Sequence, residues 1–86
     1  MRIISFHQES FDEYNLWAKE NPKIFDKIVK LINHSAREPF EGLGKPEPLK
    51  NKYQGCWSRH ITDEHRLVYE VSDDEIMIIS CKFHYK

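Results

Sequence analysis

Long apolar segments and closely spaced cysteines are both missing from this chain, and each absence excludes a class of protein. No apolar run approaches the ~20 residues that a membrane-spanning helix needs, and the apolar N-terminus is too short for a signal peptide. The two cysteines, Cys56 and Cys81, lack the close spacing of a metal-binding pair. We therefore expect a cytoplasmic protein with free thiols and no membrane contact.

A strong basic excess is also missing. The chain has 13 lysines and arginines and 14 aspartates and glutamates, which gives a net charge of −1. This balance argues against tight binding to free RNA. The charges are unevenly distributed, however, because residues 45–60 hold four cations against one anion while acids gather at 73–75. A local basic stripe of this kind can bind phosphate, although long-range electrostatic steering would be weak.

The first half of the chain predicts one strand and two helices. A short apolar strand spans residues 3–6, and apolar residues at helical spacing predict an amphipathic helix over 8–20. Asn21 and Pro22 form a restart signal, since asparagine caps a helix and proline suits its first position. The second helix should end near His34. Both helices are predicted to cover one face of a sheet.

The second half predicts an ordered loop and three strands. Residues 37–55 lose all periodicity and contain three prolines and three glycines. Alternation then predicts strands at 56–62 and 65–71, and a run that is apolar on both faces predicts a central strand from Ile76 onward. The order β-α-α-β-β-β favours a single α+β domain over residues 1–86. In it, a small antiparallel sheet packs both helices on one face.

Side chains in the second half of the chain could supply the groups that cleave RNA without a metal ion. RNA carries its own nucleophile, the 2′-hydroxyl. Cleavage then needs a base, a cation to stabilise the phosphorane, and an acid for the departing 5′-oxygen. Glu47, held between two prolines, is a candidate base. His84 is a candidate acid because an ordinary histidine titrates near pH ~6.5. Arg66 could grip a phosphate with a permanent charge.

Glu47 and Arg66 also have ordinary structural explanations, and so does Tyr85. Glu47 could be a solvated loop carboxylate, and Arg66 could form a surface ion pair with Glu64 or Glu70. Tyr85 could stack on a base of the RNA or simply pack at the chain end.

Four further basic residues are less decisive. Arg59 and Lys50 are candidate phosphate contacts, whereas His60 and His65 are ambiguous, since a structural hydrogen bond at a hairpin would explain His65. No metal site is expected, because no two histidines or cysteines have ligand spacing.

Three ordered blocks carry a resemblance to a known family. They are Gly-Lys-Pro-Glu-Pro-Leu at 44–49, Glu-His-Arg-Leu-Val-Tyr at 64–69 and His-Tyr at 84–85. Together they resemble the YoeB family of bacterial toxins, within the RelE/ParE superfamily. The similarity runs end to end and is densest from residue 39 to residue 85. The resemblance implies a RelE-like ribonuclease fold and a ribosome-dependent mRNA endonuclease. Such an enzyme cuts in the ribosomal A site, leaves a 2′,3′-cyclic phosphate and inhibits translation.

The same resemblance implies roles and partners. Positions that match the family's catalytic residues are Glu47, Arg66, His84 and Tyr85, and the RNA-binding candidates are Lys50, Arg59 and His60. No metal or other cofactor is implied. The implied partners are a YefM-type antitoxin, the 70S ribosome with its mRNA and a second copy of the chain, and the toxin–antitoxin complex is a candidate for binding operator DNA.

Two departures and two alternatives remain open. The family often has arginine where this chain has His60, and it commonly ends at the tyrosine that Lys86 follows here. A ParE-like toxin that inhibits DNA gyrase without nuclease chemistry shares the fold. A catalytically inactive module that only binds antitoxin is the third interpretation.

Overall fold

The structure, a computed structural model, describes residues 1–84. These residues form a mixed five-stranded sheet with two helices packed on one face. The elements are β1 (Ile3–Phe6), α1 (Gln8–Glu20), α2 (Pro22–Arg37), β2 (Glu47–Pro48), β3 (Cys56–His60), β4 (His65–Val71) and β5 (Glu75–His84), with a 3₁₀ turn at Asn51–Tyr53. The predicted role of Tyr85 concerns a residue outside this described part.

The strands lie in the order β1-β5-β4-β3-β2. The predicted α+β class and the helix placement are confirmed. The antiparallel expectation holds for three of the pairings, but β1 pairs with β5 in parallel. The reason is the path of the chain. β3, β4 and β5 form an antiparallel meander, and the helical hairpin separates β1 from these strands. β1 therefore lies beside β5 and runs in the same direction as β5.

Both helices follow the signals in the sequence. α1 has the predicted bounds. The Asn21 side chain accepts a hydrogen bond from the Ile24 N–H at 3.3 Å, and Pro22 occupies the first position of α2. α2 continues one turn beyond the predicted end at His34, to Arg37, because Ala36 in that turn is itself fully buried.

The core lies between the helices and the sheet. α2 contributes Ile28 and Leu31, β4 contributes Leu67 and Tyr69, and all four are buried. Apolar burial of this kind is the main stabilising term in a small domain. Within residues 1–84, neither helix has the length and apolar composition needed to cross a bilayer. Both cysteines are free thiols, as expected.

Candidate functional site

The sheet face that points away from the helices carries three residues of the candidate site. Arg59 of β3 reaches His34 of α2, so its strand neighbour His60 points to the opposite face. Arg66 of β4 pairs with His60, and Glu47 of β2 pairs with Ser58, which shares the face of His60. Because directly paired residues project to one side of a sheet, Glu47, His60 and Arg66 share a surface, which we call the open face.

Backbone hydrogen bonds fix the segment that carries Glu47. The Gly44 carbonyl accepts the His60 N–H at 2.7 Å, and the Leu49 N–H donates to the Cys56 carbonyl at 2.9 Å. Glu47 therefore lies between two attachments to β3, with its side chain exposed to solvent. The sequence predicts a loop here, and part of this segment instead forms the edge strand β2.

The environment of His60 shows how closely the charges of the open face approach one another. Burial lowers the pKa of His60, nearby Arg66 lowers it further, and the Glu47 carboxylate acts in the opposite direction. Burial and Arg66 thus favour the neutral imidazole, which adds no charge to the open face. An arginine here would place a second permanent cation beside Arg66.

Arg66 holds the turn between β3 and β4. Its Nη1 donates to the carbonyls of Thr62, Asp63 and His65 at 2.6, 3.2 and 3.1 Å. Within residues 1–84, no carboxylate lies within ion-pair distance of this guanidinium, so the alternative of a surface pair with Glu64 or Glu70 is wrong. The positive charge is anchored by backbone oxygens and remains available to an anion on the open face.

His84 lies next to this face but points elsewhere. Phe83 pairs with Arg66, and His84 pairs with His65. The His84 ring lies 4.8 Å from the His65 ring, centre to centre, and His65 packs edge-on against Trp17 of α1 at 5.2 Å. Strands thus bring His84 beside Arg66 along the sheet, while its exposed imidazole is turned toward His65 and away from the open face.

A basic, aromatic groove of about 480 Å³ adjoins His84. Lys50 and Lys52 line it together with Tyr53 and Phe83, whose rings meet edge to face at 5.0 Å. Lysines can contact phosphates, and aromatic rings can stack on bases. Lys50 lies in this groove with its side chain exposed, and its contact with RNA stays a prediction. Lys52, Tyr53 and Phe83 were not predicted as part of this surface, although Lys-Asn-Lys-Tyr at 50–53 places two cations beside an aromatic ring.

Arg59 does not contribute to this surface. Its side chain is completely buried, so the prediction that it contacts RNA is corrected. The guanidinium instead donates to the carbonyls of Glu38, Glu41 and Leu43 and to the Tyr69 hydroxyl, and it contacts His34 Nδ1 at 2.9 Å. Arg59 thereby fastens residues 38–44, the segment that leads into β2 and Glu47.

Tyr69 completes this attachment. Its hydroxyl accepts from Arg59 at 2.9 Å and donates to the Pro39 carbonyl at 2.6 Å. No aspartate or glutamate among residues 1–84 pairs with the buried guanidinium, so these hydrogen bonds satisfy it. Such a group is costly to leave unpaired, which ties the loop conformation to the core.

Replacing Gly42 by alanine tests how tightly this loop packs. Gly42 has a φ of +108°, and a Cβ atom there would lie 2.0 Å from Cε1 of His34. Because the ring that contacts Arg59 would have to move, we expect the free energy of unfolding to fall by about 2–4 kcal/mol in urea titrations. Gly55→Ala is the control, since Gly55 has a φ of +98° but open space around it. Equal losses in the two variants would show that backbone strain alone is responsible.

Stability should also depend on pH through two histidines. Burial lowers the pKa of His65, as does the neighbouring His84, and burial also lowers the pKa of His60. The pKa values of both histidines in the folded chain lie below the value of ~6.5 in the unfolded chain. At a pH between the folded and unfolded pKa values, the unfolded chain therefore binds more protons than the folded chain. The stabilisation is complete above pH ~6.5 and is lost as the pH falls through the folded pKa values.

We therefore expect a lower Tm at pH 5.5 than at pH 7.5 and a smaller difference in the His60→Gln/His65→Gln double variant. His7→Gln, which changes an exposed histidine, is the control. Thermal melts with the same pH dependence in the double variant and the wild type would refute this explanation.

Comparisons with known proteins agree with one another. The family model described as YoeB-like toxin of bacterial type II toxin–antitoxin system matches residues 6–85. The chain is 51% identical over 85 residues to Toxin YoeB of Escherichia coli K12, covering 99% of this chain and all of that protein.

Solved structures give the same result. A YoeB dimer from Staphylococcus aureus has a TM-score of 0.90 at 42% identity and covers 98% of both chains. The YoeB–YefM complex from the same organism has a TM-score of 0.88 at 43% identity and covers 99% of both.

Proposed function

Because this chain belongs to the family of YoeB-like toxins of bacterial type II toxin–antitoxin systems, we propose that it is a ribosome-dependent mRNA endonuclease that cleaves mRNA in the ribosomal A site. One observation carries the proposal: a carboxylate, an imidazole and an anchored guanidinium, from Glu47, His60 and Arg66, share the open face. The adjoining groove offers cations and aromatic rings to a bound strand.

The proposed reaction uses general acid–base catalysis without a metal ion. Glu47 removes the proton of the 2′-hydroxyl, whose oxygen attacks the neighbouring phosphorus. The bond from phosphorus to the 5′-oxygen breaks, and His84 gives that oxygen a proton. The products are a 2′,3′-cyclic phosphate and a 5′-hydroxyl. Arg66 stabilises the added negative charge of the phosphorane.

This mechanism requires His84 to change its side-chain orientation. The ring now lies against His65, and it must swing toward the phosphate beside Arg66. The side chain is exposed, so a change of rotamer meets little resistance from packing. We propose that bound RNA selects the swung conformation, and that Tyr85 stacks on a base of the substrate.

Relatives suggest the proposed partners. A YefM protein accompanies YoeB in the Staphylococcus aureus complex, and another structure from that organism is a YoeB dimer. We propose that this chain likewise forms a homodimer and binds a YefM-type antitoxin, and that the complex binds operator DNA. Acidic side chains of a flexible antitoxin segment would pair with Lys50 and Lys52, so the association should weaken with salt. The proposed site of action is the cytoplasm.

Translation of a defined mRNA on purified ribosomes tests the proposed function. The cut positions are mapped by primer extension, and the same mRNA without ribosomes is the control. We expect cuts at the codon held in the A site and little cleavage of the free RNA. Equal cleavage of free and ribosome-bound RNA would contradict ribosome dependence. Loss of DNA supercoiling by gyrase without any RNA cut would support the ParE-like alternative.

A further inference from the structure

A cluster of three metal-ligating side chains lies at the end of the β4–β5 pair. His65 and His84 are opposite each other in the two strands, and Glu64 immediately precedes β4. One ligand atom from each of the three residues lies within 4.8 Å of the other two. We propose that Glu64, His65 and His84 bind a divalent transition-metal ion such as Zn²⁺, which inhibits the toxin by occupying His84.

The donor set suits this class of ion. Two imidazoles and one carboxylate are preferred ligands of Zn²⁺, and water can complete a tetrahedral site. Ligands at ~2.0–2.2 Å from the ion lie within roughly 3.5 Å of each other, so the cluster must contract. Glu64 and His84 are exposed, which leaves their side chains free to close on the ion while the half-buried His65 stays in place.

His65 is oriented by contacts outside the cluster. Its Nδ1 lies 3.2 Å from the Thr62 hydroxyl, and the tautomer in which Nδ1–H donates to that hydroxyl offers the Nε2 lone pair to an ion. Trp17 packs edge-on against the ring. Such outer contacts fix the orientation of a ligating histidine.

The surrounding charges nearly balance. Lys82 of β5 and Glu64 beside β4 carry opposite charges. The Lys82 ammonium lies over the Trp17 ring at 5.3 Å and 4.0 Å from Glu20, so it is held on the helix side. The Glu64 carboxylate then supplies the negative charge of the site.

Strand pairing explains why spacing along the chain did not indicate this site. His65 begins β4 and His84 ends β5, far apart in the sequence. A bound ion would take the lone pair of His84 and keep its ring beside His65, away from the open face. His84 could then neither hold nor deliver a proton. This inhibitory role rests on the proposed function, whereas the binding of the ion does not.

Isothermal titration calorimetry of the purified chain with ZnCl₂ at pH 7.5 tests the site directly. We expect one ion per chain for the wild type and at least ~10-fold weaker binding for His65→Gln and for His84→Gln. His60→Gln, which changes a histidine of the open face, is the matched control and should bind like the wild type. Unchanged binding in His84→Gln, or an equal loss in His60→Gln, would overturn the proposal.

Cleavage assays then test the inhibitory role. Glu64 lies outside the proposed catalytic set, so Glu64→Gln should cut like the wild type without added zinc and need ~10-fold more zinc for half inhibition. Because both proteins meet the same ribosomes and the same zinc, effects on the ribosome cancel. Equal zinc sensitivity would refute inhibition through this site. Calorimetry involves no ribosome, so failure of the metal site and failure of the nuclease proposal are distinguishable.

Discussion

Replacing Glu47 or His84 by glutamine is expected to slow A-site cleavage by about 10²–10⁴-fold, the usual contribution of one positioned acid or base. Glutamine keeps a similar shape but cannot exchange a proton at neutral pH. The measurement is the single-turnover rate at which ribosome-bound mRNA is cut. Because the two residues serve one reaction, the double variant should lose less than the product of the two single losses.

Glu41→Gln is the matched control for the carboxylate. Glu41 lies in the same segment and is exposed, and only its carbonyl contacts Arg59. It should cut at the wild-type rate. If Glu47→Gln and Glu41→Gln cut equally fast, Glu47 is not the base, and the carboxylate of the open face has another role.

Replacing Arg59 by methionine is expected to lower the free energy of unfolding by about 3–5 kcal/mol, as found when one partner of a buried polar network is removed. The variant leaves the Tyr69 hydroxyl and three loop carbonyls without their donor. Since a small domain is stable by only about 5–15 kcal/mol, the loss should be large in urea titrations. It should also loosen residues 38–44 and thereby misplace Glu47.

Two further variants make this interpretation testable even if Arg59→Met folds poorly. Tyr69→Phe removes only the hydroxyl between Arg59 and the Pro39 carbonyl and should cost about 1–3 kcal/mol. Arg37→Met, at an exposed arginine, should change stability little. If Arg59→Met were as stable as Arg37→Met but bound RNA more weakly, the original assignment of Arg59 to RNA contact would be restored.

Local signals in the sequence were sufficient for most of the fold. Asn21 and Pro22 marked the helix boundary because capping is a short-range interaction. Alternation along 65–71 puts Arg66 on the face opposite Leu67 and Tyr69, and in the structure Leu67 and Tyr69 are buried in the core. The parallel pairing of β1 with β5 depends on the path of the whole chain, which no local pattern specifies.

The candidate site shows where the same reasoning stops. Alternation along residues 56–62 puts Arg59 on the same face of β3 as Trp57 and Ile61, and that face is the core side. The prediction that Arg59 contacts RNA rested on the affinity of arginine for phosphate alone, and the burial of Arg59 contradicts it. The orientation of His84 was not predictable from alternation. Register shifts between Arg66 and Tyr69 change which residue of β5 lies opposite each residue of β4.

We propose that the substrate's own 2′-hydroxyl attacks the phosphate. An mRNA that lacks the oxygen of one 2′-hydroxyl tests this proposal. The mRNA is synthesised with one 2′-deoxynucleotide on the 5′ side of the mapped cut and translated with the wild-type chain on purified ribosomes. We expect this phosphate to stay intact while an unmodified A-site codon is cut at the usual rate. Undiminished cleavage next to the deoxynucleotide would contradict it.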